Sequence, residues 1–106
     1  MAREKFKTLT EQMFYVLLCL RQERCGIDIL DWVQAETGGR VNVGSGTLYH
    51  LLEQFQEAGF IRETRVEGRK RSYQITAQGQ ARLQQEYERL HAQAEDYRRL
   101  WGEEAL

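Results

Sequence analysis

Cysteine and histidine are scarce in this chain of 106 residues, with two of each. Two cysteines without metal-ligand spacing argue against both a zinc site and a disulfide framework. Long apolar runs are also missing, so no segment approaches the roughly 20 residues that cross a bilayer. The first seven residues are polar and charged, unlike a signal peptide. These absences predict a cytoplasmic protein with no metal, no cofactor and no membrane contact.

The composition that remains is that of one globular domain, with 42% hydrophobic and 29% charged residues. A domain of this size has only a modest core, so oligomerisation is a natural way to bury more surface. Cys19 lies in the most apolar segment and Cys25 stands beside Gly26. We expect a buried small hydrophobe at Cys19 and a loop thiol at Cys25, with a redox role left open for Cys25 alone.

Two helices are predicted before residue 40. The first opens with a capping box formed by Thr8 and Glu11 and continues to about Arg21. The second extends over residues 26 to 37 and is stopped by Gly38-Gly39.

A third helix begins with Ser45 as its N-cap and stops at Gly59, which we expect to be left-handed, with Phe60 folding back on Phe55. Apolar side chains at three- and four-residue intervals form its buried stripe: Leu48, Leu51, Leu52 and Phe55. The outer face near its start carries small or hydrogen-bonding residues: Gly46, Thr47, Tyr49 and His50. Such a face beside a helix N-terminus suits phosphates and base edges.

After Gly59 the pattern alternates with period two, which predicts a two-stranded hairpin over residues 60–75, called the wing below. Its turn is Glu67-Gly68-Arg69-Lys70, and one strand face would carry Phe60, Arg62, Thr64 and Val66. The whole chain has a net charge of −1, but five basic and two acidic residues give +3 between residues 62 and 71. The N-terminal arm, residues 1–7, adds +2. Local attraction to phosphate can therefore operate on a mildly acidic protein.

A last helix is predicted from Ala77 to Trp101, capped by Thr76. Its apolar positions step by four and three residues, as in a heptad seam: Leu83, Tyr87, Leu90, Ala94, Tyr97 and Trp101. At 1.5 Å per residue this helix would be roughly 37 Å long, too long for a small core to cover. We expect a homodimer formed through this seam, the alternative being a helix that packs only on its own domain.

These elements predict a mainly α fold with a small β-hairpin. Residues 1–76 would form a winged helix-turn-helix DNA-binding domain, and residues 77–106 a long C-terminal dimerisation helix in the same compact unit. In that arrangement the third helix enters the major groove and the wing lies along the DNA backbone. We expect Ser45, Thr47 and Tyr49 to hold phosphates and His50 to touch a base edge.

The ordered motifs resemble those of the PadR family of bacterial transcriptional regulators, in the small branch with a single long C-terminal helix. They span about nine-tenths of the chain: Leu9-Thr10, Phe14 to Leu18, Gly26, Gly38-Gly39-Arg40-Val41, Gly46-Thr47-Leu48-Tyr49, Gly59-Phe60-Ile61, Gly68-Arg69-Lys70-Arg71, Tyr73, Thr76 and Gly79. The chain departs from the family pattern at four positions. Cys25 and Ile27 stand where members usually have a histidine and a tyrosine, Ser45 stands where a proline is common, and His50 stands where an arginine is frequent. Such changes bear on the operator sequence rather than on the fold.

The resemblance implies a repressor that binds double-stranded DNA, most simply as a dimer on a palindromic operator, and that a small aromatic effector releases in some members. Tyr15, Trp32 and Trp101 are either ordinary core and seam aromatics or the lining of such a ligand pocket. Arg69, Lys70 and Arg71 are expected to contact phosphate or the minor groove, unless one of them pairs with Glu63 or Glu67.

An enzyme and a protein-interaction module are the two alternatives to a DNA-binding protein. An enzyme is disfavoured because His50 and His91 fall on different helices, and Gly44-Ser45-Gly46 lacks the lysine of a phosphate-binding loop. A winged-helix protein-interaction module without DNA binding draws some support from Glu53 and Glu57 on the third helix. The basic cluster of the wing distinguishes these hypotheses, because an interaction module would not need it.

Overall fold

The computed structural model describes residues 8–102, so the basic arm predicted over residues 1–7 lies outside the described residues. Within that range the chain folds into four helices and a three-stranded antiparallel sheet of order β1-β3-β2. The elements are α1 (Glu11–Cys19), β1 (Arg24–Cys25), α2 (Gly26–Glu36), α3 (Ser45–Ala58), β2 (Ile61–Glu67), β3 (Lys70–Ile75) and α4 (Ala77–Trp101). The predicted mainly α, winged-helix fold with a long last helix is confirmed.

The start of α1 differs from the prediction. Thr10, not Thr8, is the N-cap, and its hydroxyl accepts a hydrogen bond from the backbone N–H of Met13 at 3.1 Å. Thr8 has the glutamate three positions later that a capping box requires, whereas Thr10 is followed at that position by Met13. Thr10 therefore caps the helix through its hydroxyl alone, which the capping-box pattern does not predict. The helix also ends at Cys19, with Leu20 as its C-cap, about two residues before the predicted Arg21.

The sheet contains a strand that the sequence did not predict. In β1, Arg24 pairs with Tyr73 and Cys25 with Ser72. A two-residue strand is too short to show any alternation, and only its partner strand defines it. Cys25 is consequently buried, 3% exposed, and its thiol lies 3.2 Å from Oδ2 of Asp28, so the expected loop thiol is wrong.

Cys19 is buried as expected, with no exposed surface. Burial raises the pKa of its thiol to about 11, and the neighbouring Arg24 guanidinium opposes that shift only in part. The Cys19 side chain therefore stays a neutral thiol and acts as a small apolar group in the core.

The boundaries of α3 correct one prediction and confirm another. Gly44 is the N-cap and Ser45 is the first helical residue, without a side-chain capping bond. At the other end, Gly59 adopts the left-handed conformation at φ 82°. The rings of Phe55 and Phe60 then pack with centroids 6.3 Å apart, as predicted. Because Gly44 has no side chain, the backbone N–H groups of the first turn of α3 have no side-chain cap.

The wing turns at Gly68, where φ is 65°, between strands that end at Glu67 and begin at Lys70. The predicted strict alternation along β2 is wrong beyond Glu63. Glu63 pairs with Tyr73 and Arg65 pairs with the adjacent Ser72, so Thr64 is an extra residue in a bulge. The bulge shifts Arg65 and Val66 relative to the faces that the sequence assigned to them.

The helix α4 is joined to the wing by a close backbone approach. The Thr76 hydroxyl donates to the carbonyl of Gly59 at 2.6 Å and accepts from the N–H of Gly79 at 3.0 Å. A Cβ at Gly79 would lie 2.0 Å from the carbonyl oxygen of Phe60. Only glycine therefore allows the first turn of α4 to contact the start of β2.

A buried carboxylate joins α4 to the N-terminal part of the domain. Glu86 is 1% exposed and accepts hydrogen bonds from the guanidinium of Arg89. A guanidinium nitrogen of Arg82 lies 3.5 Å from its other oxygen, and Leu9 contributes a backbone hydrogen bond. Arg89 is the largest cause that lowers the pKa of Glu86, against the opposing effect of burial. The heptad pattern of α4 gave no sign of this buried charge.

The core lies where α1, α2, α3 and the sheet meet. Its largest fully buried apolar side chains are Phe55, Leu17, Leu20, Ile29, Leu48, Leu52, Val16 and Val33. No helix among the described residues is long and apolar enough to cross a membrane.

Candidate nucleic-acid interface

A groove of about 770 Å³ lies between the first turn of α2, the outer face of α3 and the wing. We call it the α3–wing groove. Five of the seven residues predicted to contact DNA line it: Tyr49, His50, Arg69, Lys70 and Arg71. The fold therefore brings the polar side of α3 and the basic wing tip to one concave surface, although they are some twenty residues apart in sequence.

The remaining two predicted residues, Ser45 and Thr47, are exposed in the first turn of α3 but do not line the groove. Space around this turn is open, because a Cβ at Gly44 or Gly46 would meet no atom within 4 Å. The uncapped N–H groups of a helix start carry a partial positive charge and bind anions. This end of α3 is chemically suited to a phosphate.

Tyr49 connects α3 to the start of α2. Its side chain is 59% exposed, yet its hydroxyl lies close to Gly26, the first residue of α2. A Cβ at Gly26 would be 3.1 Å from the hydroxyl oxygen of Tyr49. The glycine thus leaves room for the phenol, which presents its hydroxyl beside a second uncapped helix N-terminus.

Charge in the wing is partly neutralised within the wing itself. Arg71 donates to Oε2 of Glu63 at 2.7 Å, which raises the pKa of Arg71, so the predicted alternative of an internal pair holds for this arginine. Arg65 lies 3.8 Å from Glu23 and 3.7 Å from Glu67. Arg62, Arg69 and Lys70 form no ion pair with any residue of the described range.

Three further residues line the α3–wing groove without having been predicted to contact DNA: Glu53, Gln56 and Ile27. Glu53 is exposed on α3, three residues after His50. That spacing puts the two side chains on neighbouring positions of one helix face, which is a signal the sequence contains. Ile27 is 66% exposed in the first turn of α2.

The predicted aromatic pocket is only partly assembled within one chain. Tyr15 and Trp32 line a second groove of about 440 Å³ together with Arg24. The guanidinium of Arg24 lies 5.5 Å from the Trp32 ring centroid, and the Tyr15 hydroxyl accepts from Arg40 at 3.1 Å. Trp101 does not line this groove and is 68% exposed at the end of α4.

The heptad seam of α4 is exposed over most of its length. Only Leu83, at its start, packs on the domain core. The other large side chains of the seam remain 39% to 68% exposed: Tyr87, Leu90, Tyr97 and Trp101. Ala94 is exposed as well, as is every residue from 87 to 101. We call the exposed part of the seam, formed by Tyr87, Leu90, Ala94, Tyr97 and Trp101, the α4 stripe.

Comparison with known proteins places the fold. The model of the transcriptional regulator PadR-like family matches residues 16–85. A transcriptional regulator from Clostridium thermocellum is 19% identical with a TM-score of 0.72, covering 84% of this chain and 90% of that one. A PadR family transcriptional regulator from Eggerthella lenta is 21% identical, also with a TM-score of 0.72, covering 84% and 80%.

Bacillus subtilis PadR in complex with operator DNA is 26% identical with a TM-score of 0.61, and the match covers 69% of this chain and 45% of PadR. No curated protein matches the chain. The family model extends over α2, α3, the wing and the first part of α4, which is about two thirds of the sequence. The chain belongs to the PadR-like family of transcriptional regulators.

Proposed function

We propose that this protein is a dimeric, sequence-specific repressor that binds a palindromic operator in double-stranded DNA. Residues 1–76 would form the DNA-binding unit and residues 77–106 the dimerisation helix. The observation that supports this most is the α3–wing groove, in which Tyr49 and His50 face the basic wing tip. Bacillus subtilis PadR, which resembles the chain in fold, forms a complex with operator DNA.

The chemistry of the groove fits a division of roles along the DNA. The uncapped start of α3, with Ser45 and Thr47 exposed, would hold a phosphate. His50, one turn further along the helix, would reach a base edge in the major groove. Arg69 and Lys70 would neutralise phosphates on the wing side of the groove, because they have no ion-pair partner among residues 8–102.

Dimerisation would cover the α4 stripe. Aromatic and leucine side chains at heptad spacing on an otherwise polar helix are typical of a helix that packs against a copy of itself. The dimer would also set the distance between the two α3 helices. That distance must match half-sites about 34 Å apart, one turn of DNA.

A small flat aromatic effector would act through this spacing. The groove at Tyr15 and Trp32 offers aromatic surface with the Arg24 guanidinium beside it. Trp101 lies outside it within one chain, so any contribution from Trp101 would come from the partner's α4. A ligand held between the DNA-binding unit and the C-terminal helices would shift one α3 relative to the other and release the operator.

Selection of genomic DNA fragments by the purified protein tests the proposal, followed by anisotropy titration of the best fragment at several salt concentrations. Recovery of a two-fold symmetric site whose affinity falls steeply with salt would support a dimeric regulator. Repression is then read from a reporter gene placed behind that site. Absence of enrichment over non-specific DNA would overturn the proposal and favour a winged-helix protein-interaction module.

A further inference from the structure

The α3–wing groove contains an acidic side chain, Glu53, that forms no ion pair within residues 8–102. Glu53 and Glu63 both line the groove. Glu63 is held by Arg71 at 2.7 Å. Glu53 is exposed on α3 and takes part in no ion pair or side-chain hydrogen bond within the described part of the chain. Its carboxylate is therefore available to whatever occupies the groove.

Phosphate is an unsuitable neighbour for this carboxylate, because the two groups carry the same charge. A carboxylate accepts hydrogen bonds and donates none. In the major groove the donors on base edges are N4 of cytosine and N6 of adenine. N6 of adenine lies between two acceptors, its own N7 and O4 of the paired thymine, whereas N4 of cytosine has an acceptor on one side only. A single carboxylate in this position therefore favours cytosine.

The position of Glu53 along α3 agrees with such a contact. Glu53 follows His50 by three residues, which advances it about 4.5 Å along the helix axis. Base pairs are stacked about 3.4 Å apart. The two side chains occupy neighbouring positions on the same helix face, so they are spaced to meet adjacent base pairs rather than the same one.

We propose that Glu53 is a specificity-determining residue that selects cytosine in each operator half-site, next to the base pair that His50 contacts. This inference rests on the proposed DNA-binding function and extends it. Glu53 would contribute to the choice of sequence rather than to overall affinity, because its charge repels the phosphates that dominate non-specific binding. Its carboxylate is tolerated in the groove only where a base amino group meets it.

The test is selection from a random double-stranded DNA library with three proteins: wild type, Glu53→Gln and Glu57→Gln. Glu57 is exposed on α3 but does not line the groove, so Glu57→Gln removes the same charge without touching the proposed contact. The wild type and Glu57→Gln should select the same motif, with cytosine at one position of each half-site. Glu53→Gln should lose that cytosine and shift towards adenine, the base that glutamine pairs with through N6 and N7.

Titration then measures the size of the preference. Exchange of the selected C·G pair for T·A should weaken wild-type binding about tenfold, and binding of Glu53→Gln less than twofold. An unchanged motif with Glu53→Gln would overturn the role of Glu53 and leave DNA binding intact. Absence of enrichment with all three proteins would instead overturn the proposed function, and the role of Glu53 with it.

Discussion

The hydroxyl of Tyr49 lies so close to Gly26 that a Cβ on the glycine would be only 3.1 Å from its oxygen. This contact joins the first residue of α2 to the exposed face of α3. Because the neighbouring atom is the end of a side chain, a larger residue at position 26 would move the phenol rather than the backbone. Gly26 thus fixes where Tyr49 presents its hydroxyl.

Gly26→Ala should weaken operator binding about fivefold, because it displaces a hydroxyl that we expect to hold a phosphate with about 1 kcal/mol. Tyr49→Phe should cost about the same for the same reason. The double variant should bind no worse than Tyr49→Phe alone, since both changes remove the same hydrogen bond. Anisotropy titration of the wild type, the two single variants and the double variant on one operator completes this double-mutant cycle. If the two losses of binding free energy simply add in the double variant, Gly26 does not act through the Tyr49 hydroxyl.

The wing supplies a second prediction. Replacement of both Arg69 and Lys70 with alanine should weaken binding to all DNA sequences alike. It should also reduce the slope of log affinity against log salt by about 0.9 for each phosphate that the wing no longer neutralises. The exchange Arg69→Lys with Lys70→Arg keeps the charge and should keep most of the slope. If the alanine variant has the same slope as the wild type, the wing does not contact DNA phosphates.

The parts of the fold that the sequence predicted are those with a strong local signal. The buried stripe of α3, its stop at Gly59 and the turn at Gly68 follow from side-chain periodicity and from glycine at positive φ. The strand β1 and the bulge at Thr64 have no such signal, because each is defined by pairing with β3. Local spacing also did not separate Gly44 from Ser45 as the cap of α3.

The candidate site shows the same division. The sequence identified five groove residues because polar groups on α3 and positive charge in the wing are visible without coordinates. The sequence predicts the pairing of Arg71 with Glu63 only as one of several alternatives, because the pairing depends on strand register. The spacing of Glu53 from His50 places both on one face of α3, but the sequence does not show that residues of α2 and the wing line the same groove as Glu53.

The α4 stripe leads to a prediction about assembly. Leu90 is 39% exposed in the middle of the stripe. Leu90→Asp should convert the dimer to monomers, because dimerisation would bury an unpaired charge at a cost of several kcal/mol. Ala92→Asp adds the same charge on the opposite face of α4, where Ala92 is exposed, and should leave the dimer intact. Sedimentation velocity at micromolar concentration measures both, and a monomeric wild type would refute the dimer.

The last prediction concerns Glu86, the buried carboxylate beside Arg89 and Arg82. Hydrogen bonds from Arg89 lower its pKa in the folded state. Its contribution to the free energy of unfolding should therefore be complete above its unfolded pKa of about 4.3. It should be lost as the pH falls through the lower, folded pKa.

Glu86→Gln should accordingly lower the free energy of unfolding at pH 7 by about 3 kcal/mol, because it removes the buried ionised carboxylate that accepts hydrogen bonds from Arg89. The difference from wild type should shrink as the pH falls below about 4.3, because the unfolded carboxyl then binds a proton that the folded carboxyl does not. Glu88→Gln, on the exposed side of α4, should change stability by less than about 0.5 kcal/mol. Urea denaturation between pH 3 and pH 7 measures all three proteins. A difference between Glu86→Gln and wild type that stays constant over this range would mean that packing, rather than the ionised carboxylate, makes Glu86 stabilising.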